Sequence, residues 1–245
     1  MQGVSLSERA LTRVTAATFQ TVGTVDPGSG VGIRDGSILG AIAVGRDGTL
    51  ALAWQDARFS GSHDGIAFAR STDGGLTWSA PVRVNGDPAV PAFLPAVAIR
   101  DDGTIGVSYY DFRAETAGPG TLPTFYWLAT SADGAVWAER TIAGPFDYAS
   151  APLAGGRLFL GDYMALVPSG TSFVALFGRT TGDPTNRADA IAGLVRPVVA
   201  VPLAAARSFR AAEATAPTPP EIAERATANA RRVAAERLPG RTPGP

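Results

Sequence analysis

The chain of 245 residues contains no cysteine, which excludes a disulfide scaffold, a thiolate zinc site and a cysteine nucleophile. It contains no lysine either: all 21 basic residues are arginine, so Schiff-base chemistry and a Walker lysine are ruled out. A single histidine, His63, excludes a multi-histidine metal site and leaves only that residue for any Ser-His-Asp triad. Neither sign of charge dominates, with 21 basic residues against 22 acidic and a formal net charge of -1, so bulk charge implies no nucleic acid or other polyanion as partner. No apolar run approaches the roughly 18 residues that span a bilayer. The opening MQGVSLSERALTRVTAATFQ lacks a basic region followed by an apolar one and does not read as a secretory signal. No cofactor and no metal is implied.

What the chain has in quantity is turn formers. Glycine at 29 residues and proline at 19 make up about a fifth of it, a β-protein composition. It also repeats. Residues 40–58 read GAIAVGRDGTLALAWQDAR and residues 95–113 read PAVAIRDDGTIGVSYYDFR, at a constant offset of 55. A weaker copy, FLGDYMALVPSGTSFVALFGR, follows at 159–179. Each copy predicts a strand, a tight turn with glycine at positive φ, and a second strand. Third strands are expected at Gly65–Arg70 and Phe125–Thr130, and fourth strands around Pro81–Val84 and Ala138–Ile142. Four short antiparallel strands recurring at this period predict propeller blades rather than a two-sheet sandwich.

The turn after the third strand carries a recognisable string. Ser71-Thr72-Asp73-Gly74-Gly75-Leu76-Thr77-Trp78 fits S-x-D-x-G-x-T-W at every defined position, and Ser131 to Trp137 holds a degraded copy around Asp133. With the phrases AWQDAR, YYDFR and FLGDY, the chain resembles the Asp-box, or bacterial neuraminidase repeat, family of sialidase-like β-propellers over about residues 37–202. The resemblance implies an all-β propeller, a glycoside hydrolase or glycan-binding activity, and Asp-boxes on the face opposite the active site. Ser71, Asp73, Gly75, Thr77, Trp78, Asp133 and Trp137 are then structural pins of their hairpins. The chain departs from the family in lacking the Phe/Tyr-Arg-Ile-Pro arginine motif and an identifiable tyrosine–glutamate pair, so no catalytic set carries over.

Three segments are expected: residues 1–36, with a possible outer strand of a preceding blade at Phe19–Val25; the blades at 37–202; and an Ala/Arg/Pro-rich tail at 203–245 with a helix near 220–238. Three visible blades fall short of the about four to eight of a closed ring, so a second copy or missing blades would be needed to close it. If the Asp-box turns mark the bottom, second strands end at the top, where inner strands begin. That places Asp56, Arg58, Asp111 and Arg113 on the functional rim as substrate-binding candidates, with Asp162 and Tyr163 as candidates for catalysis. Convergent acids and arginines suit a glycan or carboxylated sugar. The competing reading is structural: a repeated Asp-x-Arg ties blades together. His63, in the loop Phe59–Asp64, reads as a solvated loop residue, and Glu115 is the nearest glutamate to the rim.

Overall fold

The computed structural model of the chain describes residues 14–114 and 120–195. The first antiparallel sheet is formed by β1 (Ala41–Val44), β2 (Leu50–Asp56), β3 (Gly65–Ser71) and β4 (Val82–Arg83), in that order. The second repeats it with β5 (Ala92–Ile99), β6 (Ile105–Asp111), β7 (Pro123–Ser131) and β8 (Ala138–Asp147). A two-stranded ribbon of β9 (Leu153–Ala154) and β10 (Arg157–Leu158) leads to a third sheet, β11 (Ala165–Ser169), β12 (Ser172–Thr180) and β13 (Ala188–Val195). The described residues form an all-β, propeller-like fold. Its only helical turns among the described residues are Ala57–Phe59 and Tyr148–Ser150, and the sheets do not close a ring.

The repeat explains the ladders. Asp47-Gly48 and Asp102-Gly103 turn β1 into β2 and β5 into β6, and both glycines take φ 84, a region that costs an ordinary L-residue steric strain. Each aspartate caps its turn by accepting the amide of the threonine two residues on, at 3.0 Å in both hairpins. In the third sheet the corresponding hairpin is tighter, pairing Ser169 with Ser172.

Burial follows the pleat. Alternate residues of β2 and β3 pack toward the second sheet, and Ala51, Ala53, Ile66 and Phe68 form one core with Val97, Val107 and Tyr109. The second and third sheets close over a larger core built on Phe93, Tyr110, Tyr126 and Phe177. Tyr110 and Tyr126 approach to 4.5 Å between ring centroids, and Tyr126 stacks on Phe177 at 4.3 Å. The inner strands β1, β5 and β11 run beside one another. Their N-terminal ends therefore meet on one side of the molecule, opposite the hairpins.

The Phe19–Val25 stretch forms no strand ladder; its one bridge is Val25 to Gly32. Its amides go to side chains instead: Gln20 N–H to Asp56, Val22 and Gly23 N–H to Asp64, and Thr24 N–H to Asp35. Phe19 stacks on Trp54 at 5.5 Å, and Ala16 and Ala17 join it over Leu52 and Ala69. The stretch is thus a strap over the first sheet rather than an outer strand. The expected helix near 220–238, within the expected tail at 203–245, lies outside the described residues.

Candidate functional site

The rim residues named from sequence fall into three separate environments. Asp56 ends β2 with its carboxylate fully buried. It accepts the Trp54 indole N–H at 2.7 Å, and the Nε and Nη2 of Arg58 at 2.8 and 2.7 Å. Arg58 also donates to the Thr18 carbonyl of the strap at 2.5 Å. Burial pushes the Asp56 carboxyl up, but the hydrogen bonds from Arg58, Trp54 and Gln20 outweigh it and hold the group below its ordinary value.

Asp111 repeats the arrangement with different neighbours. It accepts the Trp127 indole N–H at 2.8 Å and Arg113 Nε at 2.5 Å, while Arg113 lies 3.6 Å over the Trp127 ring. Both remaining nitrogens of Arg113 go to Glu139, at 3.0 and 3.2 Å. Glu139 in turn accepts the Gly86 amide of the first sheet at 2.6 Å and the Tyr109 hydroxyl. This cluster fastens the first sheet to the second. Asp111 must share its arginine, and burial accordingly pushes its carboxyl up against the pull of Arg113. Burial pushes Glu139 up as well.

The third environment is open. Asp162 and Tyr163, just before β11, line a cleft of about 260 Å³ with Gly36, Leu39, Gly40, Leu94 and Pro95, where the three inner strands begin. Leu94 is the one non-glycine residue at positive φ among the described residues, at 52°, beside a bulge in β5. Its amide is held by the buried Gln55 side chain at 3.0 Å. Asp162 is paired bidentately by Arg34, at 3.2 and 2.7 Å, and Arg34 lies 4.6 Å over Phe159. Tyr163 is 85% exposed. Of the six rim residues, only Asp162 and Tyr163 line this cleft; Asp56, Arg58, Asp111 and Arg113 do not.

The Ser71–Trp78 turn is held by hydrogen bonds among its own residues. Asp73 accepts Thr77 N–H at 2.9 Å and Thr77 Oγ1–H at 2.6 Å, and Ser71 donates to it at 2.7 Å. Ser71 also takes the Gly75 amide at 2.9 Å, while Trp78 Nε1 reaches the Gly75 carbonyl at 3.2 Å. These bonds lower the Asp73 carboxyl to about 2. In the degraded copy Asp133 accepts the amides of Ala135 and Val136, and Trp137 meets Phe68 edge-on at 5.0 Å. His63 sits in its loop, with Nε2 donating to the Pro88 carbonyl at 3.0 Å. Glu115 lies outside the described residues.

No protein-family model matches the chain, and no curated protein matches it. Among solved structures, it is similar to a Hadza microbial sialidase at 16% identity, over 63% of this chain and 34% of that one, with a TM-score of 0.43. A thermostable family-43 glycoside hydrolase matches at 11% identity over 62% and 49%, with a TM-score of 0.39. A family 117 glycoside hydrolase produced by the marine bacterium Zobellia galactanivorans matches at 11% identity over 71% and 59%, with a TM-score of 0.35. The chain spans between a third and three-fifths of the length of these three structures.

Sequence reading missed Arg34 and Glu139. Arg34 precedes the repeat and has no counterpart in the other copies. Glu139 sits on an outer strand where nothing in its neighbours marks it. Among the described residues no cluster of His, Cys, Asp or Glu could hold a metal ion. The cleft therefore offers one carboxylate, itself paired by Arg34, and one exposed phenol ring.

Proposed function

We propose that the chain is a sialidase-like propeller segment that binds a carboxylated sugar in the cleft at the heads of its inner strands. The observation that carries this reading is the exposed ring of Tyr163 in a cleft also lined by Asp162, the acid that Arg34 pairs. An aromatic face takes the apolar side of a pyranose, a carboxylate accepts sugar hydroxyls, and a guanidinium edge pairs the ligand's own carboxylate. Arg34 is half exposed and uses Nε and Nη2 on Asp162, which leaves Nη1 for a ligand. Binding is favoured over hydrolysis because the usual glycosidase scheme needs two carboxyl groups flanking the scissile bond, and Asp162 is the one acid lining this cleft. Asp35, the next acid along the chain from Arg34, is buried and spends its oxygens on Thr24, Ser37 and Gln55. Further blades, from a second copy or another polypeptide, would complete the mouth, and affinity without them should be weak.

Titration with 3′-sialyllactose, followed calorimetrically, tests the reading. Binding in the range of about 1 mM is expected, lost in Tyr163→Ala and in Arg34→Gln with the melting temperature of Tyr163→Ala unchanged. The same preparation should not hydrolyse a fluorogenic sialoside. Turnover abolished by Asp162→Asn would replace the binding reading with a catalytic one, and absence of any sugar binding would remove both.

A further inference from the structure

The two seams between successive sheets are built from the same geometry and filled differently. Between the first and second sheets the seam is packed to its outer rim by Trp127 and Trp137, and its arginine, Arg113, is neutralised by Glu139. Between the second and third sheets Phe173 and Phe177 are buried in the core. Toward the rim the side chains shrink to Ala143 and Gly193, and a groove of about 530 Å³ opens between β8 and the β12–β13 pair. Its apolar lining includes Ile142, Phe177 and Ile191, and two arginines, Arg140 and Arg179, border it.

Neither arginine has a hydrogen-bond or ion-pair partner among the described residues. The acids nearest in the strand register make no ion pair with either arginine. Asp189, opposite Arg179 in the ladder, accepts Asn186 Nδ2 at 2.9 Å, and Glu139, beside Arg140, serves Arg113 and Gly86. Arg140 is half-buried and Arg179 exposed, and a half-buried guanidinium that makes no ion pair is an unfavourable arrangement. The filled seam shows what would relieve it: a flat aromatic body between the sheets and a carboxylate on the arginine.

We infer that the groove between the second and third sheets binds a small aryl carboxylate, its ring against Phe177, Ile142 and Ile191 and its carboxylate on Arg140 and Arg179. The volume suits a bicyclic ring, at the lower part of the range for small-molecule sites of roughly 300–1,000 Å³. Pairing through guanidinium forks gives the site its preference for carboxylate over a neutral amide.

The purified chain should bind 2-naphthoate saturably, one per chain, by calorimetry or ligand-observed NMR. Arg140→Gln and Arg179→Gln should each weaken binding about tenfold, as should replacing the ligand by neutral 2-naphthamide. A Cβ at Gly193 would meet nothing within 4 Å, so Gly193→Leu fits without strain and fills the groove. That variant should lose binding while keeping or raising the melting temperature. Tyr163→Ala, in the separate cleft, should leave naphthoate binding unchanged. The inference is overturned by absence of saturation at about 5 mM, by equal affinity for the amide, by displacement with acetate at equal concentration, or by full binding in Gly193→Leu.

Discussion

Asp56→Ala is the substitution that separates a structural clasp from a ligand-facing acid. In the native fold the carboxylate is the acceptor for four groups: the Trp54 indole, the Gln20 and Arg58 amides, and the Arg58 guanidinium. Trp54 is fully buried, so its indole N–H has no water to turn to, and an orphaned buried donor costs about 1–3 kcal/mol. Removing one partner of a buried ion pair costs about 3–5 kcal/mol when the other charge is trapped. Arg58 is not trapped, its side chain being 23% exposed, so the lower part of that range applies to the pair. The strap loses one amide acceptor besides. About 3–4 kcal/mol is therefore expected, and for a chain of this size each kcal/mol lowers the melting temperature by about 2–4 °C. Thermal denaturation followed by circular dichroism should show a fall of about 6–16 °C, with Asp56→Asn falling less because it keeps one acceptor oxygen. A melting temperature within about 2 °C of the parent, accompanied by lost sugar binding, would refute the clasp and return Asp56 to the rim as a ligand residue.

Two further outcomes follow from the same contacts. Asp73→Ala should lower the melting temperature and leave sugar binding unchanged, because the residue serves only its own hairpin. Its carboxyl is held down at about 2, so the stabilisation it gives is complete above the ordinary aspartate value near pH 4 and is lost as pH falls toward 2. Acid titration of parent and variant should converge at the low end, and curves that converge at neutral pH instead would count against the hairpin role. At Gly106 a Cβ would stand 2.7 Å from the Phe173 ring, so Gly106→Val should overpack the join between second and third sheets by about 1–3 kcal/mol, and an unchanged melting temperature would contradict that packing.

The repeat makes the hairpins legible in the sequence. Asp47-Gly48 and Asp102-Gly103 demand the same turn at the same position, and the ladders around them follow from the alternation of apolar residues. Asp56/Arg58 and Asp111/Arg113 were equally visible as same-side pairs, but not what they would hold. Their indole donors come from different places, Trp54 two residues earlier on the same strand and Trp127 across the ladder, so no spacing rule predicts both. Arg34 and Asp162 stand 128 residues apart in a segment without periodicity, and only folding brings them together. The strap is not legible in the sequence because its extended, apolar residues resemble a strand, whereas its hydrogen-bond partners are carboxylates.

That last feature has a bearing on how the sequence can drift. The strap is gripped through its main chain: the amides of residues 20, 22, 23 and 24 meet Asp56, Asp64 and Asp35, while Gln20 and Val22 direct their own side chains to solvent. An amide is common to nineteen of the twenty amino acids, so positions 20 and 22 are largely indifferent to spelling and intolerant chiefly of proline, which has no N–H to offer, whereas Thr21 and Thr24 also bond through their hydroxyls and Gly23 stands at φ 77. Much of the information that fixes the segment is written elsewhere, in Asp56 at the end of β2, Asp64 just before β3 and Asp35 in the loop that follows the strap. Variation among relatives should then be loose at 20 and 22 and tight at Asp35, Asp56 and Asp64, an inversion of the usual pattern in which a bound segment carries the letters and its receptor the pocket.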